Sequence, residues 1–134
     1  MRFNTKVHVR WDDLDAFNHV NNAKYLTFVQ EARVDMFWTD RKKRGLGPIF
    51  DDMVVARAEV DFISPIHDSG TMLDVEIYLE KIGNSSFVMV YEMSQSGTLR
   101  AKGKTVQVGV DMEDQKSCPL RDYEREYLEK YLET

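Results

Sequence analysis

The sequence predicts a single α+β domain, in which one long helix lies on one face of an antiparallel β-sheet. Runs of alternating apolar and polar residues indicate strands, and one early stretch has helical spacing instead. The connections between the later strands are short and rich in turn-forming residues, which favours antiparallel neighbours. With 134 residues, 43% of them hydrophobic, the chain has enough apolar side chains for one core, so we predict one domain over residues 1–134.

The first strand and the long helix are predicted from a change of period. Val7, Val9 and Trp11 alternate with polar neighbours, which is typical of a strand with one buried face. Over residues 23–44 the apolar positions recur three or four residues apart, so a helix of several turns is expected. The basic residues just before Gly45 suit the C-terminal end of that helix.

Four further strands and a terminal helix complete the predicted order. The strands are expected over residues 54–63, 72–82, 87–93 and 99–112. Gly103 on the last strand has two interpretations, since it either lets the helix approach the sheet closely or marks a β-bulge. The terminal helix is predicted to begin at Pro119. Its buried side is expected to carry Leu120, Tyr123, Tyr127 and Tyr131.

Composition and charge exclude several classes of function. A formal net charge of -5 and the lack of a long basic block interleaved with aromatics argue against a nucleic-acid-binding surface. The N-terminal residues alternate from the start instead of forming a continuous apolar segment, so we expect no signal peptide, no membrane span and a cytoplasmic location. Cys118 is the single cysteine and cannot close an internal disulfide, which makes it a poor metal or redox candidate.

The polar segment over residues 10–25 is the most informative part of the chain. Its residues Asp12, Asp13 and Asp15 have an ordinary interpretation as solvated turn or capping residues. A carboxylate beside a helix N-terminus can also act as a general base toward water or attack a carbonyl directly, while backbone N–H groups stabilise the oxyanion. An EF-hand is excluded because its pattern fails at Phe17, and no metal site is predicted.

Other hydrolytic machinery is missing from the sequence. No Gly-x-Ser-x-Gly motif occurs, and the chain is short for an α/β-hydrolase, which disfavours a serine triad. No glycine-rich phosphate-binding loop occurs either.

A series of short motifs follows the predicted elements in order. They are Val9-Arg10-Trp11, Asp13-x-Asp15, His19-Val20-Asn21-Asn22-x-x-Tyr25-Leu26, Glu31-Ala32-Arg33, Ile63-Ser64-Pro65, Gly83-x-Ser85-Ser86-Phe87 and Ala101-x-Gly103-x-Thr105-Val106. Together they resemble the acyl-CoA thioesterases of the 4-hydroxybenzoyl-CoA thioesterase type, which have the hotdog fold. The resemblance covers roughly residues 5 to 112. Family members usually carry Gly where this chain has Asn18, so a left-handed backbone is expected there.

The resemblance implies hydrolysis of an acyl-CoA thioester to a free carboxylic acid and CoA. It assigns catalysis to the Asp15 carboxylate, as general base or nucleophile, and polarisation of the carbonyl to the helix N-terminus near Asn22. No cofactor is expected, because coenzyme A is part of the substrate, and an acyl carrier protein is a second candidate carrier of the acyl group. The family also implies a homodimer with two sheets joined edge to edge and sites at the subunit interface, or a homotetramer of two such pairs.

Three residues near Asp15 are expected to support the site. His19 lies before the helix, where a histidine commonly bonds the backbone or packs. The side chains of Asn21 and Asn22 are expected to cap the helix, with substrate contact as a secondary role. Tyr25 is expected in the core, with substrate contact as the alternative.

More distant substrate contacts are also implied. The groove for the pantetheine arm is expected near Ser64, Pro65, Ser85 and Ser86. Arg100, Lys102 and Lys104 alternate onto one face of the last strand. Lys102 and Lys104 are therefore candidate contacts for the CoA phosphates, with a solvated sheet face as the ordinary alternative.

Two other functions compete with this interpretation. A hotdog enoyl-CoA hydratase also uses an Asp and a His, which Asp15 and His19 resemble, but the spacing is shorter here and no Pro precedes the His. A non-enzymatic module that binds acyl-CoA or acyl carrier protein is favoured if Asp15 cannot reach a bound thioester. Release of free thiol would indicate hydrolysis, and loss of the enoyl absorbance would indicate hydration. Binding without turnover would indicate the non-enzymatic module.

Overall fold

One antiparallel sheet of five strands forms the scaffold. The computed structural model describes residues 1–133. The strands are β1 (Phe3–His8), β2 (Met53–Phe62), β3 (Met72–Ile82), β4 (Ser86–Gln95) and β5 (Thr98–Gly109). Their order across the sheet is β1-β3-β4-β5-β2. Every pairing between neighbours is antiparallel, which confirms the predicted sheet.

The first strand ends earlier than the alternation predicts. Val7 and Val9 are buried as expected, but β1 stops at His8 and a 3₁₀ turn, Trp11–Asp13, follows. The Asp13 carboxylate accepts the backbone N–H of Arg10 at 2.8 Å and so holds the chain in this turn. The side chain of Trp11 is therefore 81% exposed, and its prediction as a buried strand residue is wrong.

The predicted long helix is present over residues 22–43. It consists of a 3₁₀ turn (Asn22–Lys24), α1 (Tyr25–Val34), a π-helical turn (Asp35–Thr39) and α2 (Asp40–Lys43), and we call the whole run the central helix. Gly45 follows with a φ of 75°, as expected for the residue after a helix. The π-helical turn was not predicted, because hydrophobic spacing does not distinguish it from an α-helical turn.

Gly103 lets the central helix lie close to the sheet. It pairs in register with Tyr91 on one side and Val60 on the other, so no bulge occurs there. A Cβ atom on Gly103 would lie 3.2 Å from Cγ2 of Val29, which is tighter than normal packing. The close-packing interpretation of this glycine is therefore confirmed.

The terminal helix α3 (Asp122–Glu129) begins three residues later than predicted. Glu124 accepts the backbone N–H of Arg121 at 2.8 Å and so marks the helix start. Glu124 and Leu128, four residues apart on one face of the helix, are buried, whereas Tyr123 is 57% exposed, contrary to the prediction for Tyr123. The three other predicted positions, Leu120, Tyr127 and Tyr131, pack against the core as expected.

Candidate active site

Asp15 sits in a tight loop whose backbone closes on itself. Its N–H donates to the carbonyl of His19 at 2.8 Å, and its Oδ1 accepts the N–H groups of Phe17 at 2.8 Å and His19 at 3.2 Å. Asn18 has a φ of 62°, so the expected left-handed backbone is present. Oδ2 of Asp15 takes part in no hydrogen bond or ion pair with residues 1–133, and the side chain is exposed. One carboxylate oxygen thus holds the loop and the other is available.

The start of the central helix lies beside this loop. Oδ1 of Asn21 accepts the N–H of Ala23 at 3.0 Å, so Asn21 is the N-cap, as predicted. The backbone N–H of Asn21 donates to the carbonyl of Asp13 at 2.8 Å, which fixes the entry of the chain into the helix. The N–H of Asn22 has no acceptor among the described residues. It is one of the unpaired donors that a helix N-terminus offers to a ligand.

A cavity of about 250 Å³ joins these two features. It is lined by Asp15, His19, Val20, Asn22, Tyr25, Phe62, Ile63, Ser64 and Pro65. Six of these residues were predicted as site residues from the sequence, and the fold brings them together from separate segments of the chain. Val20, Phe62 and Ile63 were missed as site residues. The alternation of β2 leads directly into the Ser64-Pro65 motif and could have indicated Phe62 and Ile63.

Tyr25 belongs both to the core and to the cavity wall. Only 3% of its surface is exposed, and its ring meets the ring of Phe62 edge-on at 4.8 Å. Burial raises the pKa of the Tyr25 phenol above its usual value, an effect that the backbone of Ile66 and the charge of Arg100 partly oppose. The hydroxyl therefore stays protonated and can serve as a hydrogen-bond donor.

Ser64 is held at the cavity by residues at the N-terminal end of β5. Its Oγ donates to the carbonyl of Leu99 and accepts from Nη1 of Arg100, both at 3.3 Å. Arg100 forms no ion pair of 4.0 Å or less with a carboxylate in the described part of the chain. Its guanidinium is therefore a cation without an ion-pair partner among the described residues, and it lies beside Ser64 of the cavity.

The other predicted groove residues lie far from this cavity within one chain. Ser64 bonds the backbone of Arg100, whereas Ser86 pairs with Val108, eight residues farther along β5. At about 3.3 Å per residue the separation is roughly 26 Å. Ser85 and Ser86 are therefore not brought to the Asp15 cavity by their own chain.

Lys102 and Lys104 lie on the outer face of β5 among carboxylates. Nζ of Lys104 is 3.0 Å from Glu80, and Nζ of Lys102 is 4.0 Å from Glu92. Across the sheet they stand opposite two more acids of β2, Glu59 and Asp61. These neighbours balance the two positive charges and weaken the case for a phosphate site.

The two other aspartates of the polar segment have different surroundings. Asp12 is exposed, as expected of a solvated turn residue. Asp13 is only 3% exposed and caps the 3₁₀ turn, so it is a buried capping residue and not a solvated one.

Two structural tests bear on other classes of protein. Within residues 1–133, no three His, Cys, Asp or Glu side chains lie close enough together to hold a metal ion. None of the helices in that range combines the length and the apolar character needed to span a bilayer.

Known proteins are similar to this chain in sequence and fold. The profile of the Thioesterase-like superfamily matches residues 9–126. The long-chain acyl-CoA thioesterase FadM of Escherichia coli (strain K12) is 29% identical over 134 residues, or 96% of this chain and 98% of FadM. A thioesterase from Thermus thermophilus, solved in complex with coenzyme A and Zn, is 32% identical with a TM-score of 0.79, covering 96% of this chain and 92% of that one. A predicted thioesterase from Bacillus stearothermophilus has a TM-score of 0.83 at 26% identity, covering 100% of this chain and 98% of the other.

The sheet around a central helix, the polar cavity at the helix N-terminus and these relatives define a hotdog-fold thioester hydrolase. The expected fold and enzyme class are thereby confirmed. The chain belongs to the Thioesterase-like superfamily.

Proposed function

We propose that this enzyme hydrolyses acyl-CoA thioesters to a carboxylic acid and CoA, with Asp15 as general base or nucleophile. One observation carries the proposal: Oδ2 of Asp15 and the N–H of Asn22, both without a partner among the described residues, belong to residues that line the same cavity. A carboxylate and an oxyanion donor at one carbonyl are the minimum that acyl transfer needs.

The general-base route needs only these groups and water. Asp15 takes a proton from a water molecule whose oxygen attacks the thioester carbon, and the carbonyl electron pair moves to oxygen. The Asn22 N–H and the helix N-terminus stabilise this oxyanion, an interaction worth about 3 kcal/mol for one well-placed donor. When the oxyanion collapses, the C–S bond breaks and the CoA thiolate takes the proton from Asp15.

The nucleophilic route uses the same atoms in a different order. The Asp15 carboxylate attacks the carbonyl carbon, the C–S bond breaks, and a mixed anhydride and a thiolate are formed. Water then hydrolyses the anhydride to the carboxylic acid and the Asp15 carboxylate, and the proton released in this step converts the CoA thiolate to the thiol. His19, Asn21 and Tyr25 support either route by shaping the loop, the helix start and the cavity wall.

The substrate class is proposed from the relatives and the cavity. FadM is a long-chain acyl-CoA thioesterase, and the Thermus thermophilus relative was solved with coenzyme A. We place the pantetheine arm along Ser64 and Pro65, with Arg100 beside them and Lys102 and Lys104 as weaker phosphate contacts. The acyl group reaches the enzyme on CoA or on an acyl carrier protein, and no cofactor enters the chemistry because CoA is part of the substrate.

A homodimer joined through β2 would complete this site. β2 is an edge strand, and its apolar side chains are unusually exposed, 44% for Val55 and 54% for Phe62. A two-fold antiparallel pairing of β2 with its copy places Phe62 of one chain near the opposite end of β2 in the other. That opposite end pairs with Gly109 and lies at the same end of the sheet as Ser86.

This pairing would bring Ser85 and Ser86 of the partner subunit toward the cavity that holds Ser64. The two halves of the predicted pantetheine groove, which are roughly 26 Å apart in one chain, would then meet. We propose the homodimer as the active unit, a homotetramer as its further assembly, and the cytoplasm as its location.

The proposed function is tested with the purified protein and a panel of acyl-CoA substrates. Release of free thiol is measured, with unsaturated acyl-CoA included and its enoyl absorbance followed in parallel. Thiol release supports hydrolysis, loss of enoyl absorbance without thiol indicates a hydratase, and binding without turnover indicates a carrier module. The panel also identifies the acyl group that the enzyme prefers.

A further inference from the structure

We infer that Gln95 is a positioning residue for Asp15, acting through the loop over residues 66–71. The inference rests on the proposed function, because it gives Asp15 the catalytic role. Gln95 is the last residue of β4, and only 2% of its surface is exposed. Nothing in its position at the end of a strand requires a buried amide, so its hydrogen bonds indicate its role.

Both ends of the Gln95 amide bind this loop. Oε1 accepts the backbone N–H of His67 at 3.2 Å. Nε2 donates to the carbonyl of His67 and, at 3.0 Å, to Oγ1 of Thr71. Thr71 in turn donates to the carbonyl of Asp68 at 2.6 Å. A buried amide with its donors and its acceptor in use holds its partners firmly, because losing any of them leaves a polar group unpaired.

The loop that Gln95 holds is paired with the loop that carries Asp15. The carbonyl of Ile66 accepts the N–H of Val20 at 2.7 Å, and His67 forms an antiparallel bridge with His19. His19 then binds Asp15 twice: its carbonyl accepts the Asp15 N–H, and its N–H donates to the Asp15 carboxylate. The backbone of His19 therefore lies between Gln95 and the reacting group.

A second contact joins the tips of the two loops. Nδ2 of Asn18 donates to Asp68 at 3.2 Å, and both residues have a left-handed backbone, with φ values of 62° and 65°. Left-handed non-glycine residues are conformationally costly and persist when their surroundings hold them. The two loops thus support each other, and Gln95 fixes the pair to the end of the sheet.

Loss of this anchor should lower kcat more than it changes substrate binding. A displacement of about 1 Å in a catalytic group can cost about 100-fold in rate. Ser64, the proposed pantetheine contact next to this loop, is held separately by Leu99 and Arg100, so we expect KM to depend little on the loss of Gln95. This division between kcat and KM is what a purely structural role would not produce.

The chain offers a matched control for the test. Gln107 is also a buried glutamine, 3% exposed, but its Oε1 has no hydrogen-bond partner within residues 1–133. Gln95→Met and Gln107→Met therefore make the same change in volume and polarity, and only the first removes hydrogen bonds to the loop. At saturating acyl-CoA, and well below the melting temperature of each variant, we expect Gln95→Met to lose about tenfold or more in kcat. Its KM should change less than about twofold, and Gln107→Met should match the wild type.

Hydrogen–deuterium exchange tests the physical link without relying on activity. In Gln95→Met, the amides of Asp15 and Val20 should exchange faster, because their acceptors belong to the paired loops. Those amides should be unaffected in Gln107→Met. A normal kcat in Gln95→Met, a loss of kcat without faster exchange, or an equal loss in Gln107→Met would overturn the inference.

A second variant covers the case in which Gln95→Met does not fold. Thr71→Val removes one of the loop partners of Gln95, so it should lower kcat in the same direction by a smaller factor. An unchanged kcat in that variant also overturns the inference. If the wild type hydrolyses no thioester, the proposed function fails, and the exchange measurement still decides whether Gln95 orders the Asp15 loop.

Discussion

The carboxylate of Asp15 accepts the backbone N–H of Phe17 at 2.8 Å, so the group proposed for catalysis also closes its own loop. One oxygen, Oδ1, makes this contact and the contact with His19. The other oxygen is the one available to a substrate. A replacement of Asp15 must therefore keep an oxygen that can accept the two loop N–H groups. A variant that disrupts the loop would not report on the role of the carboxylate in hydrolysis.

Asp15→Asn should keep the fold and abolish most thioester hydrolysis. The asparagine carbonyl can still accept both loop N–H groups, whereas the charge needed by either proposed route is lost. We expect kcat to fall by about 100-fold or more, with the melting temperature nearly unchanged. Thiol release and thermal unfolding measure the two quantities. Asp12→Asn, at an exposed position, is the control, and a larger effect there would contradict the assignment.

Removing the cation beside Ser64 should weaken substrate binding. Arg100→Gln is expected to raise KM for acyl-CoA by about tenfold, equivalent to roughly 1.4 kcal/mol, with a smaller change in kcat. Lys102→Ala combined with Lys104→Ala should raise KM less, because both lysines are balanced by glutamates. Steady-state kinetics at low and high salt measure these effects. If KM is unchanged in all of these variants, the cations belong to a solvated face.

Activity should depend on association of the chain. Sedimentation across a dilution series, with specific activity followed in parallel, should show both falling together. Ala58→Glu, at an exposed position near the middle of β2, should dissociate the proposed homodimer because it brings two carboxylates together near the two-fold axis. Tyr123→Glu, on the exposed side of α3, is the control and should leave association intact. A fully active monomer would contradict the shared site and leave the role of Asp15 untouched.

Gly103→Val should destabilise the fold by about 1–3 kcal/mol. The added side chain would enter the space already occupied by Val29, which lies 3.2 Å from the position of a Cβ on this glycine. Gly47→Val is the matched control, since nothing lies within 4 Å of a Cβ on Gly47. Urea unfolding of both variants measures the free energies of unfolding. Equal stabilities would mean that the helix does not approach the sheet as closely as the structure shows.

The contact between the two chain ends should make stability sensitive to acid. Arg2 binds Glu133 through two nitrogens, at 2.7 and 3.0 Å, and holds the pKa of Glu133 below its usual value. A carboxylate whose pKa is lower in the folded than in the unfolded chain stabilises the fold at pH values above its pKa in the unfolded chain. This stabilisation is lost as the pH falls through its pKa in the folded chain. The melting temperature of the wild type should therefore fall more steeply below about pH 4.3 than that of Glu133→Gln. Parallel curves between about pH 7 and about pH 3 would contradict this.

The order of elements and the local backbone around Asp15 were predictable from the sequence. Alternation located the four later strands to within three residues, and the spacing of apolar residues located the central helix. The polar segment placed Asp15 in a loop and Asn21 at a helix cap, and the family resemblance implied the left-handed backbone at Asn18. These features depend on neighbours a few residues apart, so hydrophobic period and capping chemistry determine them.

Predictions from the sequence were least secure where a local pattern meets a distant contact. Trp11 continues the strand alternation but is exposed, because the Asp13 cap turns the chain first. Lys102 and Lys104 form a basic pattern along β5, yet their acidic partners come from β2, β3 and β4. No spacing along one strand reveals which charges stand opposite on the next.

The sequence by itself thus determined the succession of strands and helices and the conformation of the loop around Asp15. Only the tertiary structure decided which distant groups share a cavity: it brought Ser64 to Asp15, left Ser86 at the other end of β5, and placed Gln95 beneath the loop at His67. The reason is physical. Local conformation follows from steric and capping preferences within a few residues, whereas contacts across the sheet depend on strand register and on the path of loops over its end.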